Sequence, residues 1–338
     1  MSNQICLFRL NRGANFNIQD ERNLCTKELC VSNSKNGIET TIFLDTNIVS
    51  AIRKFMLAEP TLNDRIHLII REIIDILGGL TNVYLSPGFA FDETGTARKD
   101  ANIKAFDKFC EIYLPGFADA YNSTPYQPLD ENQRYYLINA CASIMALLYI
   151  QEKYRKSEPL DKFIKYIYLL HSNLHYIDSL ICQIGQYVFL DDEKNYHNYK
   201  KIVDNFLKEA DFQKKDKFRK AALNAAYDVV FMRTVIASNF QEPEPFKSGK
   251  IDAWALIGDM GVVELAKLIS FTKESTPFFY TDLTDAGSHE HYFYQCSLHL
   301  NSLLLARKQF VNLHINFDPK IALNMANAFM EKIETNSL

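Results

Sequence analysis

The sequence predicts an α/β fold that carries a large helical insertion. Short apolar runs such as TIFL (41–44) and PFFYTDL (277–283) have the character of strands, and each leads into acidic residues. Helical spacing follows these runs, and a strand that passes directly into a helix is typical of α/β proteins. Between the two α/β portions nearly every segment has helical spacing. We therefore predict a helix-rich fold with a central parallel sheet and an inserted helix bundle.

Short sequence patterns predict each of the N-terminal and central elements. Residues 1–40 mix polar and apolar residues and end in the turn-forming SNSKNG, so we predict an irregular lead-in with room for one edge strand. TIFL then meets a helix at Asp45. The helical segments run from about 96 to 238, and QEPEPFKSGK at 241–250 is predicted as a loop because proline and glycine interrupt helices.

The C-terminal portion returns to the α/β pattern. The segment 252–273, DAWALIGDMGVVELAKLISFTK, is predicted as one helix, and PFFYTDL and QFVNLHINF (309–317) are predicted as strands. Asp318 and Pro319 together form a strong helix start. We predict one α/β domain over 41–338 with its helical insertion at about 120–249.

Composition narrows the class of protein. The chain has 338 residues, a formal net charge of -4 and 47% hydrophobic residues, which is enough for a sizeable core. We find no apolar run of about 18 residues, so we predict no membrane span and a cytoplasmic location. The net charge does not by itself indicate nucleic-acid binding, although a binding face can be confined to one part of the surface.

Acidic residues at strand ends are the strongest chemical signal. Ligands of an open parallel sheet collect at the carboxyl ends of its strands. Asp45 ends the first strand, and Asp282 and Asp285 follow PFFYTDL. If these strands are neighbours, the carboxylates converge, and clustered carboxylates are costly unless a cation neutralises them. All-oxygen ligands favour Mg²⁺ or Mn²⁺, which can activate water and support attack on a phosphodiester.

These residues resemble the PIN-like nuclease domains. The opening strand of that family ends in Asp followed by Thr and Asn, as IFLDTN does here, and the resemblance covers about 41–95 and 250–318. It implies a PIN-like three-layer fold in which Thr46 and Asn47 orient the first acid. The second acid follows a short strand that ends in Ser, and YLSPGFAFDE offers Asp92 and Glu93, of which we prefer Glu93.

The resemblance leaves the later acids less sharply defined. The fourth acid follows an apolar strand with Thr, which matches Thr281 and Asp282, while Asp285 remains an alternative. For the third acid the family spacing points to Asp259 in GDMGVVELAKL. Asp228 lies within an unusually apolar helical segment, where an ionised carboxylate is costly without a partner or a metal. We carry both residues as candidates.

The leading hypothesis is a metal-dependent endonuclease that uses Mg²⁺ or Mn²⁺ and acts on RNA more readily than on DNA. Residues 194–220 hold nine Lys or Arg against four acids, with aromatic residues interleaved, and could contact a nucleic-acid backbone. A solvated helix face is the competing interpretation. The partners we expect are single-stranded or structured RNA, a protein regulator bound to the helical insertion, and a second copy of the chain. A toxin, an RNA-processing factor and a phage-defence effector would share these features.

Three simpler or different hypotheses remain open. Asp45 could serve only as a helix N-cap, a position that Asp fills well. Arg307 and His314 have a spacing similar to that of the metal-independent HEPN ribonucleases, although the predicted strand at 309–317 disagrees with the helix that this motif needs. The chain could also be a non-catalytic interaction protein built on an inactive PIN-like scaffold.

Overall fold

A mixed sheet of four strands lies among many helices in the computed structural model of the protein. The sheet order is β1-β4-β2-β3. The strand bounds are β1 Cys6–Phe8, β2 Ile38–Leu44, β3 Val83–Ser86 and β4 Lys250–Ile257. The structure describes residues 5–9, 25–94, 96–117, 131–174, 177–190, 207, 214–240, 250–268, 290–310 and 319–334.

The pairing of β2 decides which strand ends meet. This strand runs parallel to β3 on one side and parallel to β4 on the other, with Phe43 opposite both Ser86 and Ala255. The short strand β1 pairs with β4 in the antiparallel direction. The carboxyl ends of β2, β3 and β4 therefore lie at one edge of the sheet. These three strands form a central parallel part, as we predicted, and β1 from the lead-in adds an antiparallel edge.

Helices surround this sheet in the N-terminal part of the chain. Helix α2 packs against α3, α4 and α5, and α1 packs against β2. The side chain of Asn63 caps α3 by accepting a hydrogen bond from the Ile66 N–H, which satisfies one free backbone donor of the first turn. The bounds are α1 Lys27–Lys35, α2 Thr46–Met56, α3 Asp64–Gly78, α4 Gly88–Glu93 and α5 Thr96–Tyr113.

The remaining described elements are helical except for β4, as the sequence led us to expect for the centre of the chain. Helix α6 packs against α12, and α7 packs against α8 and α11. A π-helical turn at Leu170–Leu174 follows α7. The bounds are α6 Glu131–Lys153, α7 Pro159–Leu169, α8 Ser179–Phe189, α9 Lys215–Phe240, α10 Met260–Leu268, α11 Glu290–Phe310 and α12 Pro319–Glu334.

The chain divides into two compact units. Unit 1 contains residues 1–11, 16–130 and 231–263, and therefore the whole sheet. Unit 2 contains residues 12–15, 131–230 and 264–338. The C-terminal helices thus belong with the central helices, whereas the sequence led us to place them with the α/β domain.

Unit 1 is organised around an apolar core that reaches from the sheet into its helices. Ile42 and Leu44 of β2 and Trp254 and Leu256 of β4 are fully or almost fully buried within it. Helix α2 contributes Ile48 and its apolar neighbours from one face. Full burial of a large apolar side chain stabilises a fold by about 1.5–3 kcal/mol, so this core fixes the junction between β2 and α2.

Strand β4 corrects the prediction for residues 252–273. We expected one helix there, but residues 250–257 form a strand and the helix begins only at Met260. All side chains from Asp252 to Ile257 are buried. A central strand buried on both faces shows no alternation, so its apolar run resembles that of a buried helix.

Two further segments differ from expectation. The lead-in contains helix α1, whose first turn is capped by the Thr26 hydroxyl. Helix α11 continues through Phe310, so the strand predicted from Gln309 does not begin there. The predicted strand at 277–283 and residues 311–318 lie outside the described residues. Within the described residues, none of the helices combines the length and apolarity needed to cross a membrane.

Candidate functional site

Asp45 lies at the junction where β2 passes into α2. Its backbone N–H donates to the Leu256 carbonyl at 3.0 Å, which extends the pairing with β4 by one residue. Its carbonyl accepts from the N–H groups of Ile48 and Val49, so its backbone occupies the N-cap position of α2. The sequence places this acid where a parallel strand ends, which is the edge at which such sheets collect ligands.

The Asp45 side chain does not act as an ordinary cap. It makes no capping hydrogen bond, whereas Asp178 at the start of α8 accepts one from the Ile181 N–H at 3.0 Å. The Asp45 carboxylate instead accepts from the Asn47 side-chain amide and from the Gly258 N–H, both at 3.2 Å. The residue is buried, at 7% exposure. Its side chain is therefore held toward the end of β4.

Gly258 is a residue of this site that the sequence analysis missed. A Cβ atom there would lie 3.2 Å from the Asn47 Cβ and 3.4 Å from the Ile48 Cδ1. Any larger residue would therefore press on the first turn of α2. The signal in the sequence was a glycine directly before Asp259, but it is recognisable only once residues 250–257 are known to be a strand.

Glu93 is the second acid of the site and comes from the end of α4. The Thr46 hydroxyl donates to the Glu93 carboxylate in a short hydrogen bond. The neighbouring acid Asp92 pairs instead with the Lys99 ammonium group at 2.7 Å. Of the two acids that the sequence offered, Glu93 is the one that the structure connects to the β2–α2 junction.

Asp259 is the third acid and follows β4. It begins α10, where its carbonyl accepts from the Val262 and Val263 N–H groups and its carboxylate accepts from the Gly261 N–H at 2.9 Å. Because β4 lies beside β2, Asp259 reaches the same edge as Asp45. Strand β4, one of the two neighbours of β2, thus places Asp259 at the same edge of the sheet as Asp45.

The charges of these three acids act on one another. Burial raises the pKa of Asp45 to about 6, and the negative charge of Asp259 adds to this effect, while the Gly258 N–H opposes it. Burial also raises the pKa of Glu93 to about 7, with further increases from the charges of Asp45 and Asp259, while the Thr46 hydroxyl opposes it. Within the described part of the chain, no cationic side chain pairs with Asp45 or Glu93.

Such an arrangement suits a cation, because a bound cation favours the ionised form of each acid. Among the described residues, however, no three His, Cys, Asp or Glu side chains lie close enough together to hold one metal ion. Asp45, Glu93 and Asp259 are electrostatically coupled without forming a complete ligand set. Carboxylate oxygens are the donors that Mg²⁺ and Mn²⁺ prefer, so the chemistry of the donors fits those ions.

The other candidate residues are placed as follows. Asp228 lies in α9 within unit 2, half-buried, whereas the three acids above lie in unit 1. Both edges of β2 are occupied by β3 and β4, and the strand that we predicted at 277–283 lies outside the described residues. Residues 281, 282, 285 and 314 lie outside the described residues, so the predictions for Thr281, Asp282, Asp285 and His314 stay predictions.

Comparison of the chain with protein-family models, with curated proteins and with solved structures found no match. The resemblance to PIN-like nuclease domains therefore remains a prediction from the residues that carry it.

Proposed function

We propose that this protein is a metal-dependent nuclease whose active site lies at the carboxyl edge of the sheet in unit 1, within a PIN-like fold. The observation that carries the proposal is the convergence of Asp45, Glu93 and Asp259 from the ends of β2, α4 and β4. RNA is favoured over DNA only through the family resemblance.

The residues around the acids have distinct roles in this proposal. Asn47 and Gly258 hold the Asp45 carboxylate, and Thr46 holds that of Glu93. Asp45, Glu93 and Asp259 do not form a complete ligand set by themselves, so Mg²⁺ or Mn²⁺ would bind there with a further ligand, for which Asp282 is the predicted residue. A divalent ion bound there would lower the pKa of a bound water and stabilise charge on a phosphodiester. The chain would supply the orientation of its carboxylates, fixed before substrate binds.

The decisive experiment is a cleavage assay with end-labelled single-stranded RNA and DNA, in Mn²⁺ or in EDTA. We expect the wild type to cleave RNA in Mn²⁺ and to be inactive in EDTA. Asp45→Asn should lower the cleavage rate by at least about 100-fold, because even residues that only support a metal ligand are typically worth 10–100-fold. Cleavage that persists in EDTA, or in Asp45→Asn, contradicts the proposal.

Matched variants identify the remaining ligands. Asp259→Asn and Asp228→Asn remove the same charge from the two candidates for the third acid, and we expect only Asp259→Asn to abolish cleavage. Asp282→Asn tests the predicted fourth acid. Asp100→Asn is the control, because this residue is exposed on α5. A protein that binds RNA but cleaves nothing in Mn²⁺ would favour the non-catalytic scaffold.

A further inference from the structure

Unit 2 contains a cavity that the proposed nuclease site does not use. Its volume is about 510 Å³, and all of its lining residues belong to unit 2. The walls come from the turn between α6 and α7, the first turn of α7, the end of α8 and the start of α11. Small-molecule sites in proteins typically enclose about 300–1,000 Å³, so the cavity has room for a ligand the size of a mononucleotide.

The charge of the lining is positive although the whole chain is acidic. Arg155, Lys156 and Lys162 line the cavity, whereas Glu158 is the single acid among its lining residues. The chain as a whole carries a formal net charge of -4. Arginine provides several donors in a planar fork and lysine provides a point charge, and both are the usual partners of phosphate groups.

Lys162 is a buried residue in the wall of this cavity. The residue is 1% exposed, and its ammonium group lies 3.4 Å from the Gln151 side-chain oxygen. Burial of an ammonium group is unfavourable unless an acceptor or an anion balances its charge. An anion bound in the cavity would supply that balance for Lys162.

The start of α7 also favours an anion in the cavity. The helix begins at Pro159, and Glu158, Pro159 and Leu160 all line the cavity. The Glu158 side chain makes no capping hydrogen bond with the helix. The amino end of a helix carries partial positive charge and favours bound anions, which reinforces the effect of the three basic side chains.

An aromatic residue completes the lining. Tyr292 is 9% exposed, and its hydroxyl donates to the Gln186 carbonyl at 2.7 Å. The hydroxyl is therefore occupied within the protein, and the ring is what Tyr292 offers to a ligand. Stacking of a base on an aromatic ring is a common contribution to nucleotide binding.

We propose that this cavity binds a small phosphate-bearing molecule of nucleotide size. Arg155, Lys156 and Lys162 contact its phosphate groups at the amino end of α7, and Tyr292 lies at the wall where a base would fit. The site is separate from the acidic edge in unit 1 and does not depend on nuclease activity.

Calorimetric titration of the full chain tests the proposal. ATP, inorganic pyrophosphate and adenosine are titrated separately in EDTA, so that no metal-bound nucleotide can form at the acidic edge. We expect ATP and pyrophosphate to bind and adenosine not to bind at the same concentrations. Tighter binding of ATP than of pyrophosphate supports a nucleotide ligand, and equal binding supports recognition through phosphate alone. Absence of binding by both ATP and pyrophosphate overturns the proposal.

Variants locate the bound ligand. Arg155→Gln and Lys162→Met should each weaken ATP binding by about tenfold or more, the loss expected for one charge-assisted hydrogen bond. Lys165→Gln is the matched control, because Lys165 is exposed on the same helix with its ammonium group over the Tyr154 ring, and we expect a change of less than about twofold. Glu158→Gln should bind ATP as tightly as the wild type or more tightly.

The exposed position of Arg155 keeps the test decisive even where Lys162→Met fails to fold. An affinity in Arg155→Gln equal to that in Lys165→Gln overturns the assignment of this cavity. This holds whether both affinities match that of the wild type or both fall by the same factor. In the second case ATP would respond only to the overall charge of the protein.

Discussion

Acids at the two ends of the central strands β2 and β4 differ in their partners. At the amino end, Asp252 of β4 lies opposite Thr40 of β2 and pairs with the Arg9 guanidinium group at 2.5 Å. It also accepts a hydrogen bond from the Asn33 amide at 2.7 Å. At the carboxyl end, Asp45 and Glu93 have polar donors but, within the described part of the chain, no cationic partner.

The difference is the one expected between an acid that serves the fold and an acid that serves the function we propose. A buried carboxylate that serves only the fold needs a cation or several hydrogen bonds, because desolvation of its charge is expensive. Burial raises the pKa values of Asp45 and Glu93, which disfavours their ionised forms. Perturbed pKa values of this kind are often found at functional sites. We expect removal of an acid to lower stability at the amino end but not at the carboxyl end.

The largest effect should come from removing the paired acid. Asp252→Ala leaves the Arg9 and Asn33 groups without their carboxylate and should lower the free energy of unfolding by about 3 kcal/mol. Breaking a buried ion pair typically costs about 3–5 kcal/mol. We expect a value at the lower end of this range because the Arg9 side chain is still 25% exposed. Asp45→Asn in EDTA at pH 8 should leave stability unchanged or raise it. Urea denaturation measures both, and an equal loss in the two variants would make Asp45 a structural residue.

Stability without metal should depend on pH through Asp45. Its pKa is raised from 3.8 to about 6 in the fold, so between these values the folded state binds more protons than the unfolded state. The contribution of Asp45 is then fully present below about pH 4 and is lost as pH rises through about 6, a change of up to about 3 kcal/mol. The pKa of Glu93 extends the loss to about pH 7.

The measurement is the difference in unfolding free energy between wild type and Asp45→Asn in EDTA, from pH 4.5 to pH 8. Groups that do not interact with Asp45 cancel in this difference, whereas its coupling to Glu93 and Asp259 is included in it. We expect it to change in favour of Asp45→Asn as the pH rises. A difference that does not vary with pH would show that the Asp45 carboxyl titrates normally.

A smaller effect is expected where the backbone of β4 approaches α2. Gly258→Ala should lower the free energy of unfolding by about 1–3 kcal/mol, because the added Cβ crowds Asn47 and Ile48. It should also reduce cleavage, since the same N–H holds Asp45. Gly79→Ala is the control. It has helical backbone angles and open space around the Cβ position, so it should gain about 0.4–1 kcal/mol.

The smallest effect should come from the hydroxyl that supports Glu93. Thr46→Val removes the hydrogen bond that favours the ionised carboxylate, which should raise the Glu93 pKa further and lower stability at pH 8 by about 1 kcal/mol. Thr46→Ser keeps the hydroxyl and should restore the pKa. Carbon-13 NMR titration of the Glu93 carboxyl, assigned with Glu93→Gln, measures it, and an unchanged pKa in Thr46→Val would contradict the role of the hydroxyl.

The part of the site that could be predicted depends on residues adjacent in sequence. An apolar strand followed by Asp45, Thr46 and Asn47 and then by a helix is a local pattern, and the structure forms β2 and α2 there. The choice of Glu93 over Asp92 came from the family resemblance, and in the structure the Glu93 carboxylate accepts a hydrogen bond from the Thr46 hydroxyl. Helices in the centre of the chain followed from their spacing alone.

Other features depended on contacts between distant parts of the chain. The apolar run at 252–257 is compatible with a buried strand or a buried helix, and only pairing with β2 decides between them. That pairing also places Asp259 at the same edge of the sheet as Asp45, whereas we had predicted Asp282 as the neighbour of Asp45. The pKa values of Asp45 and Glu93 result from burial and from charges that are far apart in sequence, so no local pattern contains them.

The sequence by itself therefore determined where an acid is delivered by a strand to the start of a helix, because strand and helix propensities act over a few residues. The tertiary structure alone decided which acids share the carboxyl edge of the sheet, and which of them have no cationic partner within the described part of the chain. Strand order is set by packing over the whole core, and the cost of a buried charge depends on every group that surrounds it.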